Sequence, residues 1–207
     1  MPSSTGNLIV ISAPSGAGKT SLVQALIGRM DGISSSISHT TRVRRPTETD
    51  DEDYFFVSDS TFRKMIANGE FLEYAKVFGN LYGTSKTQIQ HMLDAGVDLL
   101  LDIDWQGARI IRQAYPDAIS IFILPPSEAA LRERLVGRGD ERPTVIEERM
   151  RSAKSEMSHF EEYEFLLIND DFERALDELG GVIGACRLKT ASQRRHLGPD
   201  LGGLIAS

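Results

Sequence analysis

The chain has a single cysteine, Cys186. One thiol cannot close an intrachain disulfide, and no Cys/His cluster accompanies it that would suggest zinc. Cys186 therefore reads as a small apolar side chain. Long hydrophobic runs are missing too, and no stretch approaches the roughly 18 apolar residues of a membrane span. The N-terminal stretch has no basic region, and its apolar segment Leu8 to Ile11 is far shorter than a secretory signal. Excess positive charge is also lacking: 23 Lys and Arg stand against 30 Asp and Glu, a formal net charge of -7. A chain this negative is a poor non-specific binder of nucleic acid or anionic membrane. These absences lead us to expect a cytoplasmic protein with no nucleic-acid and no membrane partner. Any anionic ligand would need a local cluster of cations working against the global field. Internal repeats and low-complexity segments are absent as well.

What the chain does have is enough apolar material for a core. Hydrophobic residues make up 41% of 207 residues, which allows one domain, or one domain with sizeable insertions. Leu8 to Ile11 is a continuous apolar run, and Val97 to Ile103, Ile119 to Leu124 and the shorter Phe165 to Ile168 are of the same mainly apolar character, the pattern of strands buried on both faces. Helical patterns follow the first three, over Thr20 to Met30, Trp105 to Tyr115 and Ser127 to Val136. Alternation of this kind predicts an α/β fold, a parallel sheet flanked by helices on both faces.

Residues 34–86 break the rhythm. They hold shorter strand-like pieces (Ser34 to His39, Tyr54 to Val57, Phe71 to Phe78), a helix over Asp59 to Asn68 closed by Gly69, and a turn signal at Gly79-Asn80. This predicts an α+β insertion. A second irregular piece, Gly137 to Pro143, joins two helices, the second running from Pro143 to about Tyr163. The expected division is a core of residues 1–33, 87–126 and 164–207, the insertion at 34–86, and an Arg-rich lid with its flanking helices at 127–163. The tail after Leu197 has little periodicity and is expected to fray.

The strongest local signal is Ala13-Pro14-Ser15-Gly16-Ala17-Gly18-Lys19-Thr20, directly after a predicted buried strand and opening a helix. That context suits a phosphate-binding loop. Backbone N–H groups wrap nucleotide phosphates, the glycines allow close approach, Lys19 reaches the β- and γ-oxygens, and the Thr20 hydroxyl ligates Mg²⁺. The helix N-terminus adds favourable potential. Ala13 stands where the usual pattern has glycine, at the loop's entrance, where a small residue suffices. A dinucleotide fingerprint fails, because position 21 is serine and Lys19 would crowd a pyrophosphate. Asp102 ends a predicted strand, and Asp104 falls on the same side of it by alternation. Such a carboxylate can hold Mg²⁺ or its waters; Asp104 also fits a helix cap.

A phosphate loop says only that the chain uses a nucleoside triphosphate. Ser38-His39-Thr40-Thr41-Arg42-Val43-Arg44-Arg45-Pro46 then supplies the required cation cluster, and arginine's planar fork suits phosphate. This run resembles the GMP-binding segment of guanylate kinases. So do Phe71-Leu72-Glu73-Tyr74-Ala75, Gly79-Asn80-Leu81-Tyr82-Gly83-Thr84, Leu101-Asp102-Ile103-Asp104-Trp105-Gln106-Gly107 and Leu135-Val136-Gly137-Arg138-Gly139. The resemblance runs from about Leu8 to Leu188, with the motifs in order.

The resemblance implies a P-loop core, a GMP-binding insertion and a short lid. It implies ATP as co-substrate, Mg²⁺ as cofactor, and GMP or dGMP as acceptor. It puts Glu73 against the guanine N1–H and N2–H₂ donors, with Ser38 and Thr84 as hydroxyl partners and Asp102 and Asp104 beside the acceptor. Thr84 replaces the serine of some relatives. Arg42, Arg45, Tyr54 and Tyr82 would hold the GMP phosphate. Arg138 and Arg149 match phosphate-contacting lid arginines, Arg134 a residue near the ATP base, and Asn169 a residue beside the nucleotide. Lys19, Arg45, Arg138 and Arg149 are then the expected catalytic cations. A phosphate monoester loses its second proton near pH ~6 and is already an anionic nucleophile, so no general base is required. A kinase of another monophosphate such as AMP, and a non-catalytic binding module of the same family, are the alternatives. Glu73 and its hydroxyls oppose the first, and the intact Lys19, Thr20, Arg45 and Arg138 oppose the second.

Overall fold

The computed structural model describes residues 6–46, 48–137 and 142–205. Two sheets organise them. The larger is all parallel, in the order β2 (Ile33–Ser35), β7 (Asp98–Asp102), β1 (Leu8–Ser12), β8 (Ile119–Leu124) and β9 (Phe165–Ile168). Central β1 is buried along its whole length, and its alternate side chains feed two cores. Ile9 and Ile11 pack with Leu22 and Leu26 of α1 (Lys19–Arg29) and Leu176, Leu179 and Ile183 of α7 (Phe172–Arg187). Leu8 and Val10 pack on the other face with Ile89 and Leu93 of α3 (Lys86–Asp94) and Ala108 and Ile111 of α4 (Trp105–Ala114). Two buried faces explain the unbroken apolar run from Leu8 to Ile11, since each fully buried Leu or Ile stabilises by roughly 1.5–3 kcal/mol. Cys186 belongs to the first core, and burial pushes its thiol pKa up.

The smaller sheet has the order β4 (Phe55–Phe56), β3 (His39–Thr40), β6 (Asn80–Ser85) and β5 (Phe71–Val77). It carries α2 (Asp59–Ala67), capped by Ser58 and followed by Gly69 in the left-handed region. The strand expected over Ser34 to His39 is two strands in two sheets. Ile33–Ser35 pairs with β7, the Ser36 N–H makes one more bond to Leu100, and the chain then crosses to β6 at His39. Pattern alone cannot say which sheet a strand joins. The β5–β6 turn is Phe78-Gly79, one residue earlier than expected. Both have positive φ (47° and 84°), as a two-residue primed hairpin turn requires, and Asn80 already pairs with Val77.

Helix α5 (Glu128–Val136), capped by Ser127, packs Leu131 and Leu135 against Ile146, Met150 and Ala153 of α6 (Pro143–Met157). Helix α6 stops at Met157, short of Tyr163, and a 3₁₀ turn at Phe160–Glu162 follows. The break has an evident cause. His159 stacks on Trp105 at 3.7 Å, and Glu162 accepts from Arg109 and Arg112 on α4, contacts a continued helix would not reach. Helix α8 covers Thr190–Ile205 with a kink at Gly198, whose backbone is not helical. Among the described residues, no helix is long and apolar enough to cross a membrane.

Candidate functional site

Strand β1 delivers the chain into the 13–18 loop at the carboxyl edge of the large sheet, with β7 and β8 on either side. In open α/β sheets, ligands bind at this edge. Gly16 and Gly18 both have φ above +90° (93° and 94°). A Cβ on Gly18 would also collide with the Asn169 amide, so this position is closed to other residues on two counts. Buried Asn169 donates to the Ala17 carbonyl at 2.7 Å. Arg134 donates to the same carbonyl at 3.2 Å and to the Asn169 carbonyl at 2.8 Å. Both side chains thus brace the loop from behind.

Lys19 opens α1. Its ammonium pairs with Asp102 and donates to the Ile103 carbonyl at 3.2 Å. The Thr20 hydroxyl lies 3.4 Å from the other Asp102 oxygen. Register explains this meeting, since Asp102 is directly opposite Ile11 at the end of adjacent β7. Asp104 lies past the strand end and caps α4, accepting from the Gly107 N–H at 2.8 Å and from Gln106 at 3.1 Å. The cap role and a place in the cleft coexist.

Opposite the loop, Glu73 faces inward on β5 between Phe71 and Ala75. A carboxylate at an inward strand position is costly, and only 4% of Glu73 is exposed. Its cross-strand partner Thr84 donates to it at 2.5 Å. Burial pushes the Glu73 pKa up to about 7. The Thr84 bond opposes that shift, and the charge of Asp104 adds to it. A Cβ on Gly107 would stand 2.5 Å from the second Glu73 oxygen, so α4 approaches β5 this closely because position 107 has no side chain.

The arginine run surrounds an acidic residue. Glu48 pairs with Arg42 at 2.7 Å, accepts from the Arg45 backbone N–H at 2.8 Å, and lies 3.6 Å from the Arg45 guanidinium. Burial would raise the Glu48 pKa, and these contacts outweigh it, leaving it lowered. Arg42 also lies over the rings of Tyr54 (5.4 Å) and Phe56 (5.7 Å). Tyr54 meets Tyr82 edge-on at 6.0 Å, and burial drives the Tyr54 pKa to about 12. Arg42 is thereby fixed by charge and stacking, whereas the Arg45 side chain is 58% exposed.

One cleft gathers much of the expected set. Ala13, Pro14, Ser15, Gly16, Gly18, Lys19 and Thr20 line it from the core, and Ser38, Tyr54, Glu73 and Tyr82 from the small sheet, with Asp102 and Asp104 between them. Ala17, Arg134, Asn169 and Thr84 stand one layer back: Arg134 and Asn169 bond the Ala17 carbonyl behind the loop, and Thr84 bonds Glu73. Arg42 and Arg45 are at the rim of the small sheet, and Arg149 is half-buried on α6. Arg138 lies outside the described residues. Six lining residues were not among the expected site residues: Ser21, Ala75, Val77, Ile103, Phe78 at the hairpin tip and Glu156 near the end of α6. Glu156 had a signal in the sequence, since it follows Arg149 by seven residues on one helix face. Glu48 and Gly107 had none that spacing alone provides.

A sequence profile described as Guanylate kinase matches residues 5–185. A guanylate kinase of Pseudomonas fluorescens is 54% identical over 205 residues, covering 99% of this chain and 100% of the relative. One from Chromohalobacter salexigens is 51% identical over 205 residues, covering 99% and 95%. Among solved structures, the guanylate kinase from Anaplasma phagocytophilum superposes with a TM-score of 0.74 at 35% identity, covering 90% of this chain and 89% of that one. Profile, near-full-length relatives and fold agree: the chain belongs to the guanylate kinase family.

Proposed function

We infer that this chain is an ATP:GMP phosphotransferase, moving the γ-phosphoryl group of ATP to GMP, and to dGMP, in a reversible reaction. The observation that carries this reading is the pairing of two unlike walls in one cleft. One wall is a phosphate loop with Lys19 at its exit; the other is a buried carboxylate, Glu73, held by Thr84. Guanine presents two adjacent donors, N1–H and N2–H₂, which a carboxylate can accept together, while a hydroxyl such as Ser38 or Thr84 can serve O6. Adenine offers an acceptor at N1 and has no 2-amino group, so the same carboxylate repels it.

The chemistry is electrostatic. The acceptor phosphate is already anionic near neutral pH, so the protein has no proton to remove from it. Its task is to bring two polyanions together and stabilise charge on the moving group. Lys19 trades its Asp102 partner for phosphate oxygens. Arg42, held against Tyr54 by Glu48, and exposed Arg45 bind the acceptor phosphate with Tyr54 and Tyr82. Arg138 and Arg149 complete the charge from the lid. The Thr20 hydroxyl and Asp102 carboxylate, 3.4 Å apart at the loop exit, are hard oxygen donors. They fit Mg²⁺, which keeps most of its waters and binds through one or two protein groups plus phosphate. Bound there, Mg²⁺ would supply positive charge to the phosphates. Among the described residues no set of three or more His, Cys, Asp or Glu forms a cage of its own, which suits a metal that arrives with its nucleotide.

Residues 34–86 close on the core as the acceptor-side unit, except that Ser34 and Ser35 stay paired to β7. Residues 127–163 close as the lid, excluding water that would hydrolyse ATP. We place the protein in the cytoplasm, where its single buried thiol stays reduced. A coupled assay of ADP formation with Mg-ATP and GMP, dGMP, AMP or UMP tests the assignment. Rates with GMP and dGMP should far exceed the others, and equal rates with AMP would remove the base-reading role of Glu73.

A further inference from the structure

The junction of β7 and α4 gathers several parts of the site. Asp102 holds Lys19 and Thr20, and the Ile103 carbonyl accepts from Lys19 at 3.2 Å. Asp104 caps α4 and lines the cleft, and Gly107 lies against Glu73. Trp105, the chain's single tryptophan, sits among them in sequence but makes a contact of another kind. Its ring stacks on His159, with centroids 3.7 Å apart and 12° between the planes. His159 stands two residues past the end of α6, the helix that carries Arg149.

The stack is one part of a dense joint. The His159 Nδ1–H donates to Glu162 at 2.8 Å, and Glu162 also accepts from Arg109 at 3.1 Å and from Arg112 at 2.8 Å, both on α4. The Arg109 guanidinium lies over the Trp105 ring at 4.9 Å, and that of Arg112 over Tyr163 at 4.5 Å. Just beyond, the Glu164 N–H donates to the Ser120 hydroxyl of β8 at 3.0 Å. The chain leaving α6 is thus fastened both to α4 and to the large sheet. Neither stacked ring lines the cleft, so any effect on the reaction must travel through the two helices they join.

Resting on the reading of Arg149 as a phosphate-contacting residue and of Asp104 and Gly107 as acceptor-side groups, we propose that Trp105 and His159 are positioning residues. Their stack fixes the root of α6 against the start of α4, and so sets Arg149 in register with the acceptor side of the cleft when both nucleotides are bound.

His159→Ala opens the joint from one side and Trp105→Leu from the other. His159→Phe keeps a ring to stack and loses the bond to Glu162. The test measures kcat with ATP and GMP, KM for ATP, ADP affinity by calorimetry, and the melting temperature of each protein. His159→Ala and Trp105→Leu should each lower kcat about 3- to 10-fold, the weight of one aromatic pair. KM for ATP and ADP affinity should stay unchanged, because Arg134 and Asn169 brace the phosphate loop separately. The double variant should be no slower than the slower single one, since both changes remove the same contact. His159→Phe should return kcat to within about twofold of wild type. A merely structural stack would lower melting temperatures and leave kcat unchanged. Losses that add in the double variant would show the two rings acting apart, and a His159→Phe protein as slow as His159→Ala would show that stacking is not the agent. Each of these three results overturns the proposal. A wild type that binds ADP and transfers nothing to GMP would instead remove the kinase reading, and the proposal with it.

Discussion

The Glu73 carboxylate gives the most discriminating prediction, because one change should improve the fold and damage the function. Its pKa stands near 7 in the folded protein against an ordinary 4.5, and burial is the main cause. A folded pKa above the unfolded value means that the folded state favours the proton. The associated stability is present in full below pH ~4.5 and is lost as pH rises through 7. Above pH 7 the buried charge costs on the order of 3 kcal/mol relative to the unfolded chain. Glu73→Gln keeps the shape, can still accept from Thr84, and carries no charge. Ligand-free Glu73→Gln should therefore melt higher than wild type at pH 8, and most of that advantage should vanish by pH 5. Guanine binding should suffer in the opposite sense. An amide offers one acceptor where two donors need partners, and hydrogen bonds to charged groups contribute about 1.5–3 kcal/mol, so kcat/KM for GMP should fall roughly 10- to 100-fold. The GMP-over-AMP preference should shrink by a similar factor. Wild type should also lose about tenfold in kcat/KM for GMP between pH 8 and pH 6 as Glu73 protonates, beyond the loss from the GMP phosphate itself. The variant should retain only the phosphate limb. Thermal melts across pH, with kcat/KM for GMP and AMP, check every step. A variant no more stable at pH 8, with an unchanged GMP/AMP ratio, would refute the reasoning.

Other perturbations address the remaining parts. Lys19→Ala should lower kcat by orders of magnitude with the melting temperature little changed, since Lys19 serves the ligand; near-normal turnover in a steady-state assay would contradict its role. Gly107→Ala places a methyl 2.5 Å from the Glu73 carboxylate, the movable end of a side chain, so the carboxylate should give way and the helix should hold. KM for GMP should rise several-fold with KM for ATP unchanged, and a change in neither would show that the carboxylate position is not critical. Hydrogen exchange with and without an ATP analogue plus GMP should show new protection in the small sheet and in α6, and equal protection in both states would rule out closure.

Much of the fold was legible because its main signal is physical and local. Strands β8 and β9 match their apolar segments residue for residue, since most of their side chains are the large β-branched and aliphatic residues that a parallel sheet packs against its helices. The phosphate loop was legible for the same reason, being fixed by a strand, two glycines and a helix start. Sheet membership was not legible. Nothing in Ile33 to Thr40 says that the first part pairs with β7 and the last with β6. The end of α6 was hidden because it is set by a stack between His159 and Trp105, more than fifty positions apart. Helix α7 contains Gly180, Gly181 and Gly184, which suppress helix propensity, yet Ala175, Leu176, Leu179, Ile183 and Cys186 hold it in the core. The site shows the same division. Residue types predicted a cation cluster, but only three dimensions show Glu48 inside it or Gly107 against Glu73.

The central claim is that the two walls of the cleft select ATP as donor and a guanine monophosphate as acceptor. A competition experiment tests it most directly: γ-labelled ATP with Mg²⁺, equal GMP and AMP in one mixture, and separation of products and protein at early times. The account predicts label in the β-phosphate of GDP, very little in ADP formed from AMP, none on the protein, and return of label to ATP when ADP is added in excess. Comparable labelling from GMP and AMP, or a labelled protein on the path to product, would contradict it.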